Sequence, residues 1–229
     1  MMNEVLPSGN PLGHPLHGPN FNQVLKGTTT IGLVCKDGVV MATERRATAG
    51  SFIANKATIK LFRIDSNVGL TIAGLVGDAQ SLARYLRASV SLYRLRRGSP
   101  ISIEGASTLL ANILNNNRYM PYYAWFILGG VDTEGGHLYS IDPLGGNIED
   151  KYVSVGSGST LAYGVLEENY EDDLTMNDGV DIALRSLHVA MRRDSASGDG
   201  YLLSTISDKE FKEFTDDEIK KRLSKLKIA

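Results

Sequence analysis

Cysteine is almost absent. Cys35 stands alone among 229 residues, which excludes an intrachain disulfide and any zinc site built on cysteines, and makes a reducing compartment the default. Long apolar runs are missing as well. No stretch approaches the roughly 20 residues a membrane-spanning helix needs, and the N-terminus lacks the basic-then-apolar layout of a secretory signal, so a cytoplasmic protein with no membrane partner is expected. Neither sign of charge is in excess: 24 Lys and Arg stand against 26 Asp and Glu. Binding to nucleic acid needs a clustered surplus of cations and is not expected. The one basic knot, "YRLRRG" at 93–98, reads as the solvated end of a helix, where cations complement the dipole. Common catalytic signatures are missing too: no Gly-rich loop ending in Lys and Ser or Thr, no G-x-S-x-G elbow, no H-E-x-x-H. "GLVGDAQ" at 74–80 has too few glycines to be more than a weak phosphate signal. No metal or cofactor is expected.

Proline is scarce everywhere except at the start. Four of the seven prolines, Pro7, Pro11, Pro15 and Pro19, fall in the first 26 residues, where each ring removes a backbone donor and restricts the residue before it. His14 and His17 lie there with no carboxylate cluster, a poor metal site. The first 26 residues therefore read as a leader or tail without regular structure, and the chain, 42% hydrophobic over its 229 residues, is long enough for one large domain with a core.

What is present from Thr28 onward is an ordered series of strand and helix signals. "TTIGLVC" and "VVMAT" flank a turn at "KDG" and make one hairpin, and "KLFRID" and "VGLTIAG" make a second. Two amphipathic helices follow, one with Ala79, Leu82, Ala83, Leu86, Val90 and Tyr93 on a stripe, the other opened by Ser102 with Ile103, Ala106, Leu110 and Ile113. Strands return at "YYAWFILGGVD", "HLYSID" and "KYVSV". Two more helices come next, the second capped by Thr175, with His188 on its packed face near Leu184 and Leu187. "GYLLSTIS" is a last strand and "TDDEIKKRLSKL", capped by Thr215, a last helix. Blocks of strands and blocks of helices favour α+β layering over alternating βαβ units. Two antiparallel sheets stacked face to face, with helices outside, would bury every apolar face: a four-layer α-β-β-α sandwich.

Polar residues collect where these elements end: "ATERRATAG" (42–50), Lys60, "AGLVGDAQ" (73–80), "VGSGST" (155–160) and "RRDSASGDG" (192–200). Each alone reads as a turn. Together with "GTTT", "IKLF" and "RYMPY", and in this order, they resemble the β subunit of a 20S proteasome, archaeal type, from Thr28 to about residue 226. The resemblance implies the N-terminal-nucleophile hydrolase fold, the same four layers. It implies autocatalytic cleavage of the Gly27–Thr28 bond, which removes residues 1–27 as a flexible propeptide and leaves 28–229 as the catalytic domain, with a free α-amine on Thr28. That amine, titrating near 7.7 to 8.0, would serve as base for the Thr28 hydroxyl. Gly27 leaves the scissile bond unhindered. Thr29 and Thr30 are accounted for by strand propensity.

By the same resemblance Lys60 would lie beside Thr28 and lower the proton affinity of its amine and hydroxyl. Glu44 would pair with Lys60, although most active relatives carry Asp there. Ser157, Asp194 and Ser197 would hydrogen-bond the amine and the threonine, and Arg46 would support them. The Gly74 amide would form the oxyanion hole, and Thr48 and Val76 would offer backbone groups to an extended peptide. Ala47, Thr58, Phe62, Ile72, Val76 and Gln80 match positions lining the pocket for the residue before the cut; none is acidic, which implies cleavage after hydrophobic residues. The implied partners are proteasome α subunits and other β subunits in stacked heptameric rings, an ATP-dependent unfoldase regulator, and unfolded polypeptide as substrate. Two further readings are a non-catalytic ring subunit and an unprocessed precursor, and a third is the shorter bacterial two-ring relative. Inactive members generally lose the threonine, the lysine or the preceding glycine, and here all three stand.

Overall fold

The structure, a computed structural model, describes residues 27–228; the expected leader over 1–26, with His14 and His17, lies outside the described residues. The chain runs β1 (Thr29–Cys35), β2 (Gly38–Glu44), β3 (Ala47–Ala49), β4 (Phe52–Asn55), β5 (Leu61–Asp65), β6 (Val68–Gly74), α1 (Val76–Arg97), α2 (Ile103–Asn116), β7 (Ala124–Asp132), β8 (Gly135–Ile141), β9 (Asn147–Glu149), β10 (Tyr152–Gly156), α3 (Ser159–Asn169), α4 (Met176–Arg193), β11 (Tyr201–Ile206), β12 (Phe211–Glu213) and α5 (Asp216–Leu226).

Two five-stranded sheets form, ordered β10-β1-β2-β11-β12 and β5-β6-β7-β8-β9, and every pairing is antiparallel. Strand alternation sorts the apolar side chains into three cores. Val39, Met41, Ile127, Leu138, Val153 and Ile206, drawn from both sheets, meet between them. The opposite residues of β1 and β2, Ile31, Leu33, Val40 and Ala42, pack outward on Ala162, Leu166, Ala183, Leu184 and Leu187 of α3 and α4. Val68, Leu70, Ile72 and Phe126 of the other sheet pack on Leu82, Leu86, Leu110 and Leu114 of α1 and α2. Four layers result, helices outside and two antiparallel sheets within, the α+β sandwich that the block pattern predicts.

Helix starts follow local chemistry. Ser102, Thr175 and Thr215 each accept a backbone N–H from the first turn of α2, α4 and α5, satisfying donors that a helix leaves free. Two readings need correction. Tyr93 is 38% exposed instead of completing the buried stripe of α1, because it lies near the end of a helix that runs past the edge of its sheet-facing stripe. On α2 the expected Ile103, Ala106 and Leu110 are buried, but Ile113 is only half-buried at the margin of that face and Leu114, outside the expected set, is fully buried.

Candidate active site

Thr28 directly precedes β1, and Lys60 directly precedes β5 of the facing sheet, so stacking the two sheets brings both to the same end of the sandwich. Lys60 Nζ donates to Thr28 Oγ1 at 2.9 Å. It also donates to Glu44 Oε1 and to the Arg46 carbonyl. All three ammonium protons are thus taken, in a place where the lysine and glutamate side chains are 2% and 0% exposed. Glu44 Oε2 in turn accepts the backbone N–H of Arg46 at 2.6 Å and of Gly198 at 3.0 Å. Burial pushes the Lys60 pKa down, opposed by the neighbouring Glu44. Burial also pushes the Glu44 carboxyl up, opposed by Lys60 and by the two amides. Removing either partner would strand the other charge in the interior, which costs about 3–5 kcal/mol.

A second group of side chains comes from the other direction. The Thr28 N–H donates to Ser157 Oγ at 3.2 Å, and Ser157 Oγ donates to Asp194 Oδ2 at 2.5 Å. Ser197 Oγ donates to the same Asp194 Oδ2 at 2.6 Å. Because that spends the Ser197 proton, the 2.7 Å contact between Thr29 Oγ1 and Ser197 Oγ is one in which Thr29 donates. This corrects the account of Thr29 as strand propensity alone: its hydroxyl holds Ser197. No local sequence signal marks it, since a threonine entering a strand already has a sufficient explanation. The Thr30 hydroxyl donates to the Ala42 carbonyl and takes no part in this group.

Space at the Gly27–Thr28 peptide is tight. Thr28 Oγ1 donates to the Gly27 carbonyl at 2.7 Å, and the Gly27 N–H donates to Thr48 Oγ1 at 3.3 Å. A Cβ on Gly27 would fall 1.9 Å from Ala196 Cβ and 2.7 Å from Ser157 Oγ. Gly74 ends β6 with φ 117°, where a side chain would meet the Tyr123 carbonyl at 2.3 Å, so only glycine suits that corner.

The remaining expected positions spread along the edges of this end. Ala47 and Thr48 lie in the short β3–β4 hairpin and are buried. Thr58 donates its N–H to the Arg45 carbonyl and its hydroxyl to Asn55. Ile72 takes a backbone bond beside Lys60 but is 1% exposed and packs toward α1 and α2, so it shapes the region from inside. Phe62 is half-buried, and Val76 and Gln80 sit one turn apart on α1. Arg46 binds Asp199 and the Ser195 carbonyl. Among the described residues no group of three or more His, Cys, Asp and Glu is arranged to hold a metal, and no helix is long and apolar enough to cross a membrane.

Two stacked antiparallel sheets between helical layers, with a threonine opening the first strand at the sandwich's end, are the architecture of the N-terminal-nucleophile hydrolases. A family profile described as proteasome subunit matches residues 24–206. Curated relatives named proteasome subunit beta include one from Methanothermobacter thermautotrophicus, 52% identical over 208 residues, covering 90% of this chain and 99% of the relative. Others come from Archaeoglobus profundus, 50% identical over 91% of this chain and 97% of the relative, and Ferroglobus placidus, 49% identical over 90% and 99%. The chain belongs to the proteasome subunit family.

Proposed function

We propose that the chain is a threonine-type endopeptidase, with Thr28 Oγ1 as nucleophile once the Gly27–Thr28 bond has been cut. Its relatives group it with the catalytic β subunits of the 20S proteasome core, part of a multi-subunit peptidase. The observation that carries the reading is the buried Lys60 ammonium 2.9 Å from Thr28 Oγ1, since a charge kept in the interior at such cost argues for a use.

In the precursor, Thr28 Oγ1 would attack the Gly27 carbonyl carbon. The C–N bond breaks, an ester forms, and the released nitrogen takes the hydroxyl proton; water then hydrolyses the ester to a Gly27 carboxylate. The Thr28 α-amine so freed stays beside Ser157, which Asp194 orients. In peptide hydrolysis that amine accepts the Oγ1 proton as the oxygen attacks the scissile carbonyl, and gives it to the leaving amine. The nearby Lys60 charge favours the ionised oxygen and keeps the amine's pKa low enough for it to be free near neutrality. The Gly74 amide would take the negative oxygen of the tetrahedral intermediate. Water releases the acyl group from Oγ1 and restores the site.

Cleavage after hydrophobic residues fits the uncharged character of Ala47, Thr58, Phe62, Val76 and Gln80, with Ile72 packed behind them. Proteasome α subunits, further copies of β in heptameric rings, an unfoldase supplying unfolded chains, and a cytoplasmic site of action complete the reading; residues 1–27 are its propeptide and 28–229 its catalytic domain. A non-catalytic role in the ring would leave the Thr28–Lys60–Glu44 arrangement without purpose. Thr28→Ala in the assembled particle should abolish peptide hydrolysis, and turnover surviving above background would point to a different nucleophile.

A further inference from the structure

The loop after α4 contains a strained residue that the reaction scheme above does not use. Asp199 has φ 65°, a left-handed conformation that costs a non-glycine residue energy and persists where surroundings enforce it. It stands between Gly198 and Gly200, where a third glycine would carry no such strain. What the carboxylate gains is Arg46: Asp199 Oδ2 accepts from Arg46 Nε at 2.7 Å, and Arg46 Nη1 donates to the Ser195 carbonyl at 2.8 Å. The two side chains are 20% and 16% exposed, shielded enough for the pair to hold its geometry. The guanidinium lies across Gly198, where a Cβ would come within 2.4 Å of Nη2.

The main chain of Arg46 is part of the catalytic arrangement. Its N–H donates to Glu44 Oε2 and its carbonyl accepts from Lys60 Nζ. Gly198, next to Asp199, donates its own N–H to the same Glu44 oxygen. Asp194 and Ser197, which orient Ser157 and Thr29, sit on the same loop. The Arg46–Asp199 bond therefore closes a ring joining the lysine side of the site to the amine side. We propose that Asp199 is a positioning residue for the peptidase reaction, clamping Arg46 so that its main chain aims Lys60 at Thr28 Oγ1.

The charges facing Lys60 are Glu44, Asp194 and Arg46; Arg46, then Lys56 and Lys60, act on the Asp199 carboxylate and hold its pKa below the usual value. Without that carboxylate the Arg46 cation is no longer neutralised, and the proton affinity of Lys60 and of the Thr28 amine falls.

The inference rests on the threonine-peptidase reading, and the test separates the two. Assembled particles of the full chain carrying Asp199→Asn, Asp199→Gly or Thr28→Ala are compared on a peptide amide with a fluorescent leaving amine, with rates scaled to the fraction of processed Thr28 measured by mass. Both Asp199 variants should lose kcat roughly tenfold, as small misplacements near reacting atoms do, with KM held within about twofold. The acid limb of their pH–rate profiles should move to lower pH. Asp199→Gly also relieves the left-handed strain, so it should keep the thermal midpoint of the parent while losing activity, which a merely structural residue would not do. Wild-type kcat and an unmoved acid limb in both variants would overturn the positioning role, as would a loss confined to Asp199→Asn. Activity surviving in Thr28→Ala would instead overturn the threonine reading, whatever Asp199 does.

Discussion

Gly27 is discarded in the proposed maturation, yet the structure leaves it no room for a side chain, with Ala196 and Ser157 filling the space a Cβ would need. Gly27→Ala should therefore slow precursor cleavage by pushing the Gly27 carbonyl off Thr28 Oγ1, while particles that do mature regain normal kcat, because the offending methyl leaves with the propeptide. Time courses of chain mass read the first effect and peptide turnover the second; unhindered processing would contradict it. At this scale much of the site was legible. Thr28, Glu44, Lys60, Ser157, Asp194 and Ser197 were marked by a family pattern of short motifs, and the structure puts them within one connected set of hydrogen bonds. Thr29 and Asp199 were not legible, since a hydroxyl in a strand and a carboxylate in a Gly-flanked turn both have ordinary explanations. Only the fold reveals that one binds Ser197 and the other Arg46.

Among the elements, those with a buried face announced themselves and those without did not. β1 and β2 are buried almost throughout, and their apolar runs around "KDG" read directly as a hairpin. The β3–β4 hairpin leaves no such mark: Ala47 and Thr48 are buried side by side and β4 is largely uncovered, with Phe52 72% exposed, so no alternation betrays a strand. β9 and β12 have three residues each, too short for a period. α1 begins at Val76 with no side-chain cap on its first turn, and Asp78 Oδ2 accepts the Tyr123 N–H at 2.9 Å and ties the helix to the approach of β7. In α5 the capping box is complete, and backbone and side-chain bonds from Thr215, with Lys212, pull Glu218 from 4.5 down to about 2. A carboxylate with a depressed pKa stabilises the fold above its unfolded value, and that contribution fades as pH falls toward the folded one. Glu218→Gln should consequently lower the thermal midpoint near pH 6, with the gap to the parent closing between about 4.5 and about 2. A gap of constant size would show that the charge contributes nothing.

Across the whole molecule, the candidate site follows from stacking. Thr28 and Lys60 belong to different sheets and are 32 residues apart, and neither sheet alone contains a site. The inter-sheet core of Val39, Met41, Ile127, Leu138 and Ile206 sets the distance between the layers and so holds the lysine against the threonine. The block order of strands and helices made the layering readable from sequence. The geometry across the sheets was not, because it depends on side chains distant in the chain. Every proposed step of peptide hydrolysis turns on one covalent event, the loss of everything before Thr28. Intact-mass measurement of the subunit in peptide-hydrolysing particles tests it most directly. The expected mass is that of a chain beginning at Thr28; full activity in particles whose subunits all retain Gly27 would contradict the account, since the proposed base would still be an amide.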